Sequence, residues 1–122
     1  MNANLASLSP DQLVREFVRV SLDQYEAHRY RRVAAYNRLY WLTEAIEKEL
    51  KARPGDQRRL LVALYAHQNI QVRLKSAMAT LALDAEGARQ VLQAIKDEQR
   101  FPFTADAAGM LFALDEGRYV PD

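Results

Sequence analysis

The chain has 122 residues, of which 49% are hydrophobic and 27% are charged, and its formal net charge is +1. This length and apolar content suit one ordinary folded domain and leave little room for a second. Because the net charge is near zero, the chain belongs neither to the strongly basic proteins that bind polyanions through their overall charge nor to the acidic proteins that stay disordered. Because the sequence contains no cysteine, thiol catalysis, thiolate metal sites and disulfides are excluded.

The beginning of the sequence has no basic and apolar leader, and no apolar run approaches the roughly 18 residues of a membrane span. We therefore expect a cytoplasmic protein that does not contact a membrane. Residues 1–8 precede the first helix signal and are expected to form a flexible segment. The whole chain, residues 1–122, is expected to form a single all-α domain.

Two long helices are predicted for the first half of the chain. Ser9, Pro10 and Gln12 have the pattern of a capping box with proline at the first helical position. A turn within residues 27–32 must separate this helix from the next, over residues 32–52, because an unbroken rod would be roughly 65 Å long, against a radius of gyration of ~14 Å for a compact domain. The expected core rows are Val14, Phe17, Val18, Ser21 and Tyr25 in the first helix, and Leu39, Leu42, Ile46 and Leu50 in the second.

Four shorter helices are predicted to follow, each opened by a capping side chain. Asp56 precedes the third, over residues 57–66, whose apolar stripe has helical spacing; the stripe is Leu60, Ala63, Leu64 and His67. Asn69 precedes a central helix, over residues 70–83, that is apolar or small on two sides and should be buried on both. Asp84 and Thr104 are expected to cap the fifth and sixth helices, and Gly117 to end the last.

Part of this pattern is similar to a known repeat. Asn69, Val72, Arg73 and Ala77, preceded by the apolar run of residues 60–64, resemble one unit of the HEAT repeats. The resemblance implies a short right-handed α–α superhelix of about six helices in three antiparallel pairs. It also implies that Arg73 hydrogen-bonds to loop carbonyls and to the polar turn residue, here Asn69. An irregular helical bundle is the alternative.

The chain as a whole also resembles a family of small bacterial proteins of unknown function that have a HEAT-like plan. The similarity runs through the central helix and the tail of residues 114–121. It implies a fold and says almost nothing about a specific activity.

No set of residues indicates catalysis. His28 and His67 share no metal-ligand spacing, and the acidic residues of the second helix form i, i+4 pairs with lysines, which is typical of a solvated helix face. We therefore expect a non-enzymatic protein without catalytic residues, metal or cofactor.

The expected function is binding another macromolecule, a protein, across one face of the helical stack. The candidate contact residues are Arg31, Arg38, Tyr40 and Trp41, because Trp41 lies off the core row and Trp, Tyr and Arg anchor interfaces. Packing of Trp41 against the first helix, or self-association, is the competing explanation. The alternative partner is a nucleic-acid backbone, held by the basic and aromatic region from Arg29 to Arg59.

Overall fold

The computed structural model describes residues 4–122, and all regular structure in these residues is helical, as predicted. Residues 4–122 contain five α-helices: α1 (Pro10–Arg29), α2 (Val33–Ala52), α3 (Ile70–Ala79), α4 (Ala85–Glu98) and α5 (Phe103–Asp115). Two 3-10 helices cover Leu5–Ser7 and Gln57–Ala66. Contacts group the chain into two compact units, Met1–Leu60 and Leu61–Asp122, and the expected single domain stays a prediction.

The first unit consists mainly of α1 packed along α2. The predicted capping box is confirmed: the Gln12 amide donates to the Ser9 hydroxyl at 3.1 Å, and the Ser9 amide donates to the Gln12 side chain at 2.8 Å. The three residues between Arg29 and Val33 form the turn, which confirms its predicted place. Because the connection is this short, the two packed helices run antiparallel.

The inward face of α1 differs from the predicted row. Phe17 and Ser21 are fully buried as predicted, whereas Val14, Val18 and Tyr25 are only half-buried. The buried positions are Leu13, Phe17, Val20, Ser21, Gln24 and Ala27. The buried face of α1 is displaced from the predicted row toward Leu13. The apolar stripe of α1 is wider than the surface that α2 covers, so only one edge of the stripe is buried.

The core row of α2 is confirmed at Leu39, Ile46 and Leu50, but Thr43 is buried where Leu42 was expected. The Thr43 hydroxyl donates to the Leu39 carbonyl at 3.0 Å. This bond inside the helix satisfies a polar group that would otherwise be costly to bury.

The predicted flexible segment lies partly outside the described residues, which begin at Asn4. Its second half has an ordered conformation: Leu5–Ser7 forms a 3-10 helix. The Arg53 guanidinium donates to the carbonyls of Leu5 at 3.1 Å and Leu8 at 2.7 Å, and to Glu49 at 2.6 Å. These bonds satisfy backbone groups that a flexible segment would leave to water.

The third predicted helix is a 3-10 helix rather than an α-helix, which corrects the predicted stripe. Arg58 and Leu61 are buried, while Ala63, predicted to lie in the core, is exposed. A period of three residues places Arg58, Leu61 and Leu64 on one face, whereas the predicted row assumed 3.6 residues per turn. Leu61, which is 0% exposed, is the most deeply buried residue of this face.

The second unit packs α3 against α4 and α5, and α4 against α5. As predicted, Asn69 caps α3, since its side-chain oxygen accepts from the amides of Gln71 at 2.9 Å and Val72 at 3.2 Å. The predicted two-sided burial is confirmed. The buried residues are Ile70, Gln71, Val72, Leu74, Lys75, Ser76, Ala77 and Ala79.

The ends of the helices in this unit differ in two places from the prediction. Helix α3 ends at Ala79 rather than Leu83: the Thr80 amide donates to the Ala77 carbonyl at 3.3 Å, three residues back instead of four, and a turn follows. Thr104 does not cap α5, because the helix begins at Phe103 and Thr104 lies inside its first turn. Its buried hydroxyl instead donates to the Ile95 carbonyl at 3.0 Å and accepts from the Arg100 amide at 2.8 Å. The predicted cap at Asp84 and the stop at Gly117, with φ of 68°, are confirmed.

Candidate functional site

The outer side of α2 presents Trp41 directly away from the core. At about 100° per residue, Trp41 lies opposite the buried row that runs from Leu39 to Leu50. Its side chain is 69% exposed. The competing expectation that Trp41 packs against the first helix is therefore wrong, and the other one, self-association through Trp41, stays a prediction.

The neighbours of Trp41 along α2 leave its ring open. Asn37 and Ala45 lie one helical turn to either side, and Ala34 lies two turns back. These side chains are too short to cover an indole, and although the longer Arg38 and Glu44 lie three residues to either side, Trp41 is still 69% exposed. The Tyr40 ring meets the indole edge-on, with centroids 5.1 Å apart and planes at 83°, which fixes one edge of Trp41 and leaves its outer surface free.

Tyr40 and Arg38 flank Trp41 on this side of α2. Partial burial raises the pKa of Tyr40, and the carboxylates of Glu44 and Glu47 raise it further. The phenol therefore keeps its proton at neutral pH and remains a hydrogen-bond donor. Arg38 is exposed and forms no ion pair with any carboxylate in the described part of the chain. We refer to Arg38, Tyr40 and Trp41 as the α2 outer face.

The structure separates Arg31 from these three residues. Arg31 lies in the turn before α2, and Trp41 lies about 12 Å further along the helix axis than Val33. The turn has the hydrogen bonds of a Schellman motif: the Arg32 amide donates to the Ala27 carbonyl at 2.7 Å, and the Arg31 amide donates to the His28 carbonyl at 3.0 Å.

Beside this turn lies a cavity of about 540 Å³, which we call the corner cleft. Its lining combines Ala27, Val33 and Tyr36 with His28, Arg29, Arg31 and Arg32. Sequence reasoning selected Arg31 and missed the cleft, because the tight turn that brings the end of α1 beside the start of α2 has no glycine or proline to mark it.

The HEAT-like signature residues lie in the second unit, on or before α3. Asn69 is the helix cap, while Val72 and Ala77 are fully buried. Arg73 donates from Nη1 to Oε2 of Glu98 at 2.7 Å, at the end of α4. This side-chain partner differs from the predicted loop carbonyls and Asn69, because packing of α4 against α3 places a carboxylate within reach of the guanidinium.

Two further properties concern chemistry and membranes. Across residues 4–122, no three His, Asp or Glu side chains gather in a metal-binding arrangement. Over the same residues, none of the helices combines the length and the hydropathy that crossing a bilayer requires.

Comparison with known proteins gives the same fold and no activity. Residues 11–115 match the family described as a domain of unknown function (DUF2019). The crystal structure of the protein RPA1889 from the bacterium Rhodopseudomonas palustris CGA009 is similar with a TM-score of 0.96 and 37% sequence identity, over 99% of this chain and 100% of that chain. No curated protein matches the chain.

Proposed function

The chain belongs to the DUF2019 family, a domain of unknown function, and we propose that it is a non-enzymatic module that binds another protein through the α2 outer face. One observation carries the proposal: Trp41 is 69% exposed and points away from the core of its own unit. A Trp side chain in this position contributes little to the fold, so its apolar surface is available to a partner.

The size of that surface supports the proposal. A Trp side chain buries up to about 250 Å² when fully covered, so covering the exposed part of Trp41 would contribute on the order of 4 kcal/mol before the entropy cost of association. Trp, Tyr and Arg are the residue types that most often dominate interface energies, and the α2 outer face contains one of each.

Charge on the same side of α2 favours a protein over a nucleic acid. Glu44 and Glu47 lie close enough to Tyr40 to raise its pKa. Together with Arg38, these carboxylates surround the aromatic pair with mixed charge, which suits the polar rim of a protein interface, whereas a phosphate backbone needs an excess of cations.

We propose in addition that the fold is a short right-handed stack of HEAT type and that the protein acts in the cytoplasm. The HEAT assignment is supported by the capping role of Asn69 and the burial of Val72 and Ala77 in α3. A partner-binding role is what such arrays of helices commonly perform.

The test is affinity capture from the source cell with the full chain as bait, compared with the double variant Arg38→Ala, Trp41→Ala. We expect a specifically captured protein that the double variant loses, with the melting temperature unchanged. Phe112→Ala is the matched control, because Phe112 is an aromatic side chain of the second unit that is also exposed, at 54%. The control should keep the partner.

Two results would overturn the proposal. In the first, the double variant keeps the partner at wild-type affinity. In the second, the double variant melts at a much lower temperature, which would place the residues in the stabilising core. Sedimentation of the same samples tests self-association. If the partner at the α2 outer face is a second copy of this chain, the wild type sediments as an oligomer and the double variant as a monomer.

A further inference from the structure

The turn between α1 and α2 contains an arginine where a Schellman motif usually has glycine. Arg31 occupies the position of the motif that requires a left-handed backbone, and its φ is 56°. Residues with a Cβ pay a steric cost there, which glycine avoids. If this position only ended the helix, glycine would be favoured. The presence of arginine therefore indicates that its side chain has a function.

The cations around this turn lack the carboxylates that usually neutralise surface arginines. Arg31 and Arg32 form no ion pair with any carboxylate of residues 4–122, and Arg29 has only Glu26, at 3.7 Å. The Arg29 and Arg32 guanidiniums lie 5.4 Å and 5.8 Å from the centre of the Tyr30 ring. The ring contacts restrict both side chains, so their positive charge is held at the cleft at a reduced entropy cost.

The corner cleft also offers apolar surface next to these charges. Val33 is 69% exposed although it begins a helix and has a large apolar side chain. Tyr36 lies one turn further along and lines the same cavity. A volume of about 540 Å³ lies within the range of natural ligand pockets and holds one or two side chains of a partner.

We infer that the corner cleft binds an acidic segment of a protein partner, with one apolar side chain seated against Val33 and Tyr36 and neighbouring carboxylates paired with Arg31 and Arg32. The inference rests on the proposed function for the class of partner. Charge complementarity selects the segment: the cleft supplies guanidiniums that lack carboxylates, and these form bidentate pairs with carboxylates.

A short acidic segment fits the cleft better than a nucleic acid does. The cluster of cations ends at Arg32, since Val33, Ala34 and Ala35 follow without charge, and Glu26 and Asp23 lie on the preceding turns of α1. A nucleic-acid backbone needs a longer row of cations to gain affinity from released counterions.

The test uses the isotope-labelled full chain and amide NMR spectra. The probes are blocked pentapeptides with Leu, Phe or Trp between pairs of Asp and Glu residues, the corresponding Asn and Gln peptides, and a short thymidine oligonucleotide. We expect at least one acidic peptide to produce saturable shifts confined to residues 27–36, weakened by raising the salt from about 50 to about 300 mM. The Asn and Gln peptides should produce none.

The variant Arg31→Gly separates binding from stability. It removes the guanidinium and relieves the left-handed backbone, so we expect peptide affinity to fall about threefold to fivefold while the melting temperature holds or rises. Arg15→Gln, which removes an exposed charge elsewhere on α1, should change neither. Unchanged peptide affinity in Arg31→Gly would overturn the inference.

Three other results would also overturn it: no shifts with any acidic peptide, shifts outside the cleft, or tighter binding of the oligonucleotide at residues 27–36. None of these concerns Trp41. A captured partner that the α2 outer-face variant loses and Arg31→Gly keeps would leave the proposed function standing and refute the cleft alone.

Discussion

The guanidinium of Arg73 on α3 lies 2.7 Å from the carboxylate of Glu98 in the last residue of α4. The two side chains are 19% and 32% exposed, so the pair is partly shielded from water. A carboxylate at a helix C-terminus faces the negative end of the helix dipole, and the arginine offsets this repulsion. The pair therefore stabilises the contact between two helices of the second unit.

We expect Arg73→Ala to lower the free energy of unfolding by about 1–2 kcal/mol, because it removes the short hydrogen bond to Glu98 and leaves that carboxylate only the longer contact with Arg100, at 3.7 Å. The control is Arg89→Ala, whose pair with Asp115 is more exposed, at 41% and 66%, and should change stability by less than about 0.5 kcal/mol. Urea denaturation of both variants is the measurement. Equal losses would show that shielding does not distinguish the two pairs.

The cap at Asn69 gives a second prediction. Asn69→Ala removes the acceptor for the amides of Gln71 and Val72 and should lower stability by about 1–2 kcal/mol. Asn69→Asp keeps an acceptor in the same place and should retain most of that stability. Thermal melting of the three proteins tests the difference, and an Asp variant as unstable as the Ala variant would contradict the capping role.

Burial of Leu81 gives a third prediction. Leu81 is 3% exposed, so Leu81→Asp places an unpaired carboxylate in the core and should abolish cooperative unfolding. Leu83→Asp is the matched control, since Leu83 is 42% exposed and only two residues away. Circular dichroism should show dominant helix in the wild type and in the control. A cooperative transition in Leu81→Asp would refute this assignment of the core.

A fourth prediction concerns pH. The hydrogen bond from Arg58 holds the pKa of Asp56 below its ordinary value, against the opposing effect of burial. Because the folded-state pKa is lowered, this contribution is complete above the unfolded pKa of about 3.9 and is lost as the pH falls through the folded pKa.

The variant Asp56→Asn isolates that contribution. Asparagine tolerates the left-handed backbone at this position, where φ is 49°. Melting curves from about pH 6 downwards should show the wild type more stable than Asp56→Asn at the upper end, with the gap closing below about pH 4. A gap that stayed constant with pH would exclude the Asp56 carboxylate as its source.

Part of the candidate site on α2 could be predicted from the sequence. The spacing of Leu39, Ile46 and Leu50 places Trp41 off the core row, and the structure confirms its exposure. The corner cleft could not be predicted, because its lining comes from the end of one helix and the start of the next. Their approach depends on a left-handed residue that sequence rules assign to glycine.

The amino-acid sequence by itself determined the helical class, the first two helices and the caps at Ser9, Asn69 and Asp84. These features depend on neighbours within four residues, so local composition is sufficient to specify them. The structure alone decided which edge of α1 is buried, that Gln57–Ala66 is a 3-10 helix, and that Glu98 is the partner of Arg73. Each of these depends on side chains distant in sequence, and packing between helices outweighs local preferences that differ by less than about 1 kcal/mol per residue.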